Sequence, residues 1–323
     1  MAGLIPEPVT REIFQGVVEQ SAVLKAGRKL PNMTSKTQSI NVLDMLPLAY
    51  WVDGDTGFKK TSSQAWEKKK LYAEELAVII PIPEAVLDDV NYDIWGEVKP
   101  RIVEAMGRRI DEAILFGTGK PSTWRKSVVD TAKDAGCSVT AGAGTQADPY
   151  DLYQDIMGPG GVIAKAEESG YTPTQILAAI GMRAKLRGLT DKNGQPIFKA
   201  TMQEASSYIL DGVPMDFPLN GAWDPEEALM IVGDFHELVY SIRQDVTYQL
   251  LTEATIVDPQ SREIIYALAQ QDMVALRCVM RLGWEIPNPV SAYRASLDDY
   301  SPFAVYLPAG DYSPAENEEV SIC

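Results

Sequence analysis

The chain contains a single histidine, His236, and this limits the catalytic chemistry that its sequence can support. Metal sites that need two histidines, such as the HExxH zinc arrangement, are excluded. A serine nucleophile would have to use His236 as its base, and the GxSxG pattern of such serines is absent. We therefore interpret His236 as a surface or loop residue.

The glycine-rich stretch at residues 117–120 (GTGK) resembles part of a phosphate-binding P-loop. A P-loop also needs a glycine five residues before the Gly-Lys pair and a Ser or Thr directly after it. Ile114 and Pro121 stand at those positions, so we interpret the stretch as a helix end followed by a turn. Residues 158–161 (GPGG) are interpreted in the same way, as a loop.

The remaining reactive side chains form no recognisable site. The cysteines, Cys137, Cys278 and Cys323, lack CxxC spacing, and their odd number argues against a disulfide framework. Neighbouring acids such as Glu226 and Glu227 could act as an acid–base pair, but a chain with 45 acidic residues produces such neighbours by chance. We expect no catalytic site, no metal and no cofactor.

Composition and charge further narrow the class of protein to which the chain could belong. The 323 residues carry a net charge of −16, which argues against a surface that clamps nucleic acid over its whole extent. Hydrophobic residues at 46% and charged residues at 23% are ordinary for a globular protein and exclude a disordered chain. No apolar run approaches the roughly 18 residues of a membrane span, so we expect a soluble protein of a reducing cytoplasm.

The elements begin with an amphipathic stripe. Residues 8–26 carry apolar residues at helical spacing, including Ile13, Phe14 and Val17, with Thr10 as a candidate cap. Such a stripe either covers its own core or docks on another chain, and the sequence favours neither. Residues 37–52 and 71–83 are typical of strands around the polar, lysine-rich segment 53–70. This pattern predicts a long β-hairpin with a basic tip, which either contacts an acidic neighbour or is simply solvated.

The longest helical pattern covers residues 91–117, with Gly117 as its end. We expect a loop over 134–150, helices near 150–169 and 174–189, and an irregular tail over 296–323. Strands are predicted at 228–233, 238–251, 263–268 and 273–286.

Four stretches in this order resemble the major capsid proteins of tailed double-stranded DNA phages, which share the Hong Kong 97 fold. Residues 49–52 (AYWV) resemble the start of the family's E-loop, and residues 87–119 resemble its spine helix with the FGTG exit. Residues 189–196 with 212–215 (GVPM) resemble a turn and strand of its A-domain. Residues 231–235, 242–243 and 271–277 resemble its return strands.

The resemblance implies an α+β capsid fold with four parts. These are an N-terminal arm (1–33), a P-domain with the spine helix (34–48, 76–146 and 270–283), an E-loop hairpin (49–75) and an A-domain with the C-terminal tail (147–269 and 284–323). Expected contacts between subunits are Ile13, Phe14 and Val17 in the arm and Trp51, Phe58, Lys59, Lys60, Trp66, Lys68, Lys69 and Lys70 in the E-loop.

The implied function is a structural subunit that assembles in the host cytoplasm into an icosahedral phage head around double-stranded DNA. The partners implied are copies of the chain in hexamers and pentamers, a portal protein, a separate scaffolding protein, DNA bound without sequence specificity, and decoration proteins. No membrane is involved. The alternatives are the shell of an encapsulin nanocompartment and a soluble α/β enzyme.

One departure from the family concerns a covalent crosslink between subunits. Some relatives join subunits through a lysine–asparagine isopeptide bond that a buried glutamate promotes. The aligned positions here hold Asp272 and Val279, so we expect no crosslink.

Overall fold

The computed structural model of the chain describes residues 17, 19–45, 65–84, 94–142, 152–189, 208–258, 261–289 and 300–309. The helices in these ranges are α1 (Ala22–Ala26), α2 (Ile94–Asp111), α3 (Val128–Asp134), α4 (Leu152–Met157), α5 (Val162–Glu168) and α6 (Ile180–Arg187). The strands are β1 (Arg28–Lys29), β2 (Thr37–Met45), β3 (Ala65–Tyr72), β4 (Glu74–Pro83), β5 (Ser138–Thr140), β6 (Gln175–Ala178), β7 (Tyr208–Leu210), β8 (Val213–Asp216), β9 (Met230–Gly233), β10 (Val239–Leu251), β11 (Thr255–Val257), β12 (Ile264–Ala267), β13 (Met273–Glu285) and β14 (Phe303–Leu307).

The spine of the molecule is α2, which continues as a π-helical turn, Glu112–Phe116. Ile102, Met106, Ile110 and Ile114 recur every fourth residue and are all buried, so one side of the helix faces the core. Gly117 ends the helix with φ 75°, a left-handed conformation that glycine adopts without a Cβ clash. The helix predicted over 91–117 is therefore present, apart from residues 91–93, which lie outside the described ranges.

The longest strands form a four-stranded sheet in the order β1-β10-β13-β4. β13 pairs antiparallel with β10 on one side and with β4 on the other, from Met273 opposite Pro83 to Leu282 opposite Glu74. Side chains of this sheet, among them Leu276 and Met280, join the same buried cluster as the spine helix. Strand β13 is buried on both faces, since only every fourth position from Met273 to Glu285 is half-buried.

Two ribbons leave opposite ends of this sheet. The β2–β3 ribbon adjoins the Glu74 end of β4, and the β11–β12 ribbon lies in the chain between the end of β10 and the start of β13. Each ribbon is a two-stranded sheet. Isolated two-stranded ribbons are marginally stable in water, so both need support from other surfaces.

A second sheet of six strands has the order β5-β14-β9-β6-β8-β7. Its strand β14 corrects the prediction of an irregular tail over 296–323, because residues 303–307 pair with both β9 and β5. The run FAVYL is apolar on both faces, as a strand buried on both sides requires. Phe303 is fully buried and packs edge-on against Phe235, with ring centroids 5.1 Å apart.

Two further predictions were wrong in the middle of the chain. Residues 175–178 form the buried strand β6, whereas we predicted one helix over 174–189; a short apolar run does not distinguish a buried strand from a buried helix by its periodicity. The loop predicted over 134–150 contains strand β5. The helix predicted near 150–169 is divided into α4 and α5 by the turn at 158–161 that the glycines indicated.

Candidate functional site

The described side chains that we considered for catalysis are scattered over the molecule. His236 is exposed in a 3-10 turn, where its backbone N–H donates to the Asp234 carboxylate over 3.0 Å. Cys137 and Cys278 are buried and unbonded to each other, and burial raises the pKa of Cys278 to about 12, which leaves a neutral thiol. Within the described ranges, no three His, Cys, Asp or Glu side chains are grouped to hold a metal ion.

The glycine stretch at 117–120 is a helix end and a turn, as predicted. The backbone N–H of Lys120 donates to the carbonyl of Gly117, and the Lys120 amine donates to the carbonyl of Trp124 over 3.3 Å. The Arg109 guanidinium lies where a Cβ on Gly119 would be. These contacts fill the turn with the chain's own groups and do not form a phosphate cradle.

The E-loop residues that the structure describes are on strand β3. Trp66, Lys68, Lys69 and Lys70 lie opposite Leu43, Asn41, Ile40 and Ser39 of β2, respectively. The second strand of the hairpin therefore begins at Ala65, within the segment 53–70 that we predicted as the polar tip, and not at residue 71. The other expected contact residues, Trp51, Phe58, Lys59 and Lys60, lie outside the described residues.

The ribbon is supported mainly at its base. Leu71, Ala73 and Met33 form a small buried cluster of their own, separate from the main core. Beyond that cluster Trp66 has 61% of its surface exposed, and Lys68 and Lys70 are also exposed. Lys69 is half-buried, with its amine 3.5 Å from the carbonyl oxygen of Ile286. The outer part of β3 therefore presents an indole and two ammonium groups to solvent.

The N-terminal residues that the structure describes pack on the chain's own core. Val17 and Val23 have no exposed surface and Leu24 has 2%, and all three belong to the main buried cluster. Val17 is therefore a core residue, which corrects its expected role as a contact between subunits: it has no surface left for a neighbour. Ile13 and Phe14 lie outside the described residues.

A buried carboxylate that sequence reasoning missed holds this N-terminal segment to the spine helix. Asp111 is fully buried, and its oxygens accept hydrogen bonds from the Ser21 hydroxyl (2.6 Å), the backbone N–H groups of Ala22 (2.9 Å) and Val23 (3.2 Å), and the side-chain amide of Asn220 (2.6 Å). Burial raises the pKa of Asp111, although the hydrogen bonds oppose the shift.

A signal for this junction is present in the sequence. Val103, Gly107 and Asp111 are spaced by four residues, so they form one row on the helix surface, and the row is buried. An acidic residue in a row of buried positions is expected to have hydrogen-bond partners. The sequence does not identify those partners, because Ser21 and Asn220 are 90 and 109 residues away.

The two positions aligned with the asparagine and glutamate of the family's isopeptide crosslink lie in different surroundings. Asp272 is exposed in a left-handed turn, with φ 49°, just before β13 begins. Val279 is buried within β13, between Thr247 of β10 and Ala77 of β4. Six residues of the extended strand β13 lie between them, so their side chains do not form a common site.

Apolar side chains are exposed at several other places on the described surface. On the β11–β12 ribbon they are Val257, Ile264 and Ile265, with 44%, 65% and 48% of their surface exposed. Ile209 on the edge strand β7 and Leu219 after β8 are exposed by 55% and 77%. Exposed apolar surface at ribbons and sheet edges is typical of chains that associate. No helix within the described residues is both long enough and apolar enough to cross a bilayer.

Comparisons with known proteins agree on one family. A model of the phage capsid family matches residues 2–292. The major capsid protein of Staphylococcus phage 80alpha is 27% identical over 287 residues, covering 88% of this chain and 82% of that protein. A solved chain of Microbacterium phage Oxtober96 superposes with a TM-score of 0.76 at 36% identity, covering 90% of this chain and 91% of that one. A chain of Mycobacterium phage Adephagia gives a TM-score of 0.74 at 32% identity, with 90% of each chain covered.

Proposed function

Since the chain belongs to the phage capsid family, we propose that its copies close into an icosahedral head around double-stranded DNA and hold one another through the E-loop and the N-terminal arm. The protein is a structural capsid subunit with the Hong Kong 97-type fold, and its place is the virion. These relationships favour a phage head over the two alternatives, an encapsulin shell and an α/β enzyme.

One observation supports the contact proposal most directly: the β2–β3 ribbon carries exposed Trp66, Lys68 and Lys70 beyond its small basal cluster. An exposed indole is a common anchor of protein interfaces, because it buries a large apolar area at low entropic cost. The chain as a whole is acidic, so the lysines of this ribbon favour the surface of another copy. We extend the same role to Trp51, Phe58, Lys59 and Lys60 in the E-loop and to Ile13 and Phe14 in the arm.

The proposed shell is held by non-covalent contacts. An isopeptide bond needs a neutral lysine amine, an electrophilic carbonyl and a base that accepts the amine proton. Asp272 is exposed and carries a carboxyl group in place of the asparagine amide that the lysine would attack. Val279 has no group that can accept a proton. The exposed turn at Asp272 and the apolar site of Val279 both support this proposal.

The further partners and the domain division are also proposals. We propose a portal protein, a separate scaffolding protein, decoration proteins and DNA bound without sequence specificity, and we propose no enzymatic role. We keep the arm, P-domain, E-loop and A-domain ranges as given above, with residues 303–307 as a strand of the six-stranded sheet rather than a free tail.

Sedimentation of the purified chain tests the proposal. We expect one fast-sedimenting species of shell size in equilibrium with small oligomers, and nuclease-protected DNA in particles isolated from phage. A chain that remains monomeric over a wide range of concentration and salt would contradict the proposal, and closed shells of uniform small size without DNA would indicate a nanocompartment.

A further inference from the structure

The junction at Asp111 joins three separate parts of the chain through one carboxylate. The spine helix contributes Asp111 itself, the N-terminal segment (residues 17–26) contributes Ser21 and two backbone N–H groups, and the loop after β8 contributes Asn220. Asn220 also donates to the carbonyl of Gln20 over 3.0 Å. Losing the carboxylate contact would therefore loosen all three parts at once.

The carboxylate replaces the missing backbone partners of helix α1. The first N–H groups of a helix have no carbonyl within the helix to bond. Here Asp111 accepts those of Ala22 and Val23, and the Ser21 hydroxyl accepts that of Leu24 over 3.1 Å. Gly107 permits this close approach, since a Cβ at that position would stand 3.2 Å from the Cβ of Gln20.

The carboxylate has no cation beside it among the described residues. On its own helix, Arg108 and Arg109 both donate to Glu112, over 2.7 Å and 3.0 Å. On the N-terminal segment, Glu19 is exposed and Lys25 pairs with Asp216 over 3.1 Å. The loop from residue 217 to residue 222 contains no titratable side chain. Hydrogen bonds alone therefore offset the free-energy cost of removing this charge from water. That cost is high for a carboxylate without a neighbouring cation.

We propose that Ser21, Asp111 and Asn220 form a proton-sensitive latch that sets how firmly the N-terminal segment is held against the spine helix. This rests on the proposed function, because the segment leads into the arm that would contact neighbouring subunits. Protonated Asp111 keeps its place, since the Ser21 hydroxyl can accept a hydrogen bond as well as donate one. Ionised Asp111 still accepts hydrogen bonds from its four donors. Its charge is buried, however, and water would solvate that charge better once the segment is undocked.

The direction of the pH dependence follows from burial. Burial raises the pKa of Asp111 in the docked segment, whereas an undocked, solvated carboxylate has its ordinary pKa. The docked form therefore binds the proton more tightly, and docking strengthens as the pH falls through the raised pKa toward the ordinary one. Above the raised pKa, docking is at its weakest and no longer changes with pH.

Hydrogen exchange of the Ala22, Val23 and Leu24 amides tests the latch on unassembled full-length subunits, after correction for the pH dependence of intrinsic exchange. We expect protection of these amides to fall as pH rises, by up to about tenfold per pH unit between the ordinary and the raised pKa of Asp111. Asp111→Asn keeps the shape but cannot ionise, so its corrected profile should be flat. Asp134→Asn, an exposed carboxylate on α3, is the matched control and should titrate like the unaltered protein.

A second variant keeps the proposal testable if Asp111→Asn does not fold. Asn220→Ala removes a donor that stabilises the ionised form, so the midpoint of the profile should move to higher pH. A flat profile in the unaltered protein, an Asp111→Asn profile that still titrates, or an unmoved Asn220→Ala midpoint would overturn the latch. Shell formation is scored separately by electron microscopy: shells with a flat exchange profile contradict the latch alone, whereas failure to form shells contradicts the proposed function alone.

Discussion

Among single residues, Asp272 and Val279 carry our proposal that the shell is held by non-covalent contacts. The exposed carboxylate of Asp272 lies in a left-handed turn, and Val279 lies in the sheet with 5% of its surface exposed. Neither offers the amide or the base that a lysine crosslink requires. We therefore propose that interface strength comes from many weak contacts repeated over the lattice.

We predict that mature particles boiled in detergent with a reductant give a single band near 35.5 kDa on a denaturing gel. Asp272→Ala should leave both the band and the particle yield unchanged, because the side chain is exposed and takes no part in a crosslink. A ladder of dimers and larger rings would show that another pair of residues forms covalent bonds.

Phe303 tests whether the C-terminal strand belongs to the core. Phe303→Ala should lower the free energy of unfolding of the subunit by about 3–5 kcal/mol, since it removes a fully buried ring. Leu219→Ala is the matched control: Leu219 is 77% exposed, and we expect a change within about 0.5 kcal/mol. Urea unfolding followed by circular dichroism measures both, and equal effects would contradict the position of β14.

Among the elements, the β2–β3 ribbon is supported by its own chain mainly at its base. Its small cluster around Leu71 stabilises the base, while Trp66, Lys68 and Lys70 remain exposed beyond it. The contact of Lys69 with the Ile286 carbonyl separates this lysine from its two neighbours, since it already has a partner within the chain.

Replacing Lys68 and Lys70 with Glu should weaken shells without unfolding the subunit, because both side chains are exposed. Each exposed ion pair contributes only about 0.2–1 kcal/mol, but the loss is repeated in every copy. Lys126→Glu with Lys133→Glu makes the same charge change just before and within α3 and serves as the control. The denaturant concentration that dissociates shells should fall at low salt for the ribbon variant only, and the difference should shrink at high salt. Equal behaviour of the two variants would refute a specific role for the ribbon.

Truncation separates the two parts of the N-terminal region. Deleting residues 1–16 should leave a folded subunit and reduce shell yield, as the expected contacts of Ile13 and Phe14 require. Deleting residues 1–26 should also unfold the subunit, because Val17, Val23 and Leu24 each stabilise the core by about 1.5–3 kcal/mol. Circular dichroism and micrographs of both variants check this. Full shell yield from the shorter deletion would contradict the arm contacts.

The sequence predicted the long elements, and among the short strands it predicted β9 and β12 but missed β6 and β14. The helix ending at Gly117 repeats its apolar spacing over several turns, and β10 and β13 are each 13 residues long, so many neighbouring positions support each prediction. β6 and β14 have four and five residues, buried on both faces, and such runs carry no periodicity. The Asp111 junction was missed because its partners are distant in the chain.

At the scale of the whole molecule, two sheets and a spine helix form the core, and two ribbons leave opposite ends of the four-stranded sheet. Surfaces at opposite ends of one subunit favour head-to-tail contacts, which generate closed rings when the rotation between copies closes. The net charge of −16 keeps free subunits soluble through mutual repulsion, so local contacts must overcome it on assembly.

Electron cryomicroscopy of particles assembled from the purified chain tests the proposed shell. We predict closed icosahedral shells in which each copy has the two-sheet fold and its β2–β3 ribbon lies on another copy, with the indole of Trp66 buried there. Isolated 35.5 kDa monomers under all conditions, or shells in which Trp66 remains exposed to solvent, would contradict it.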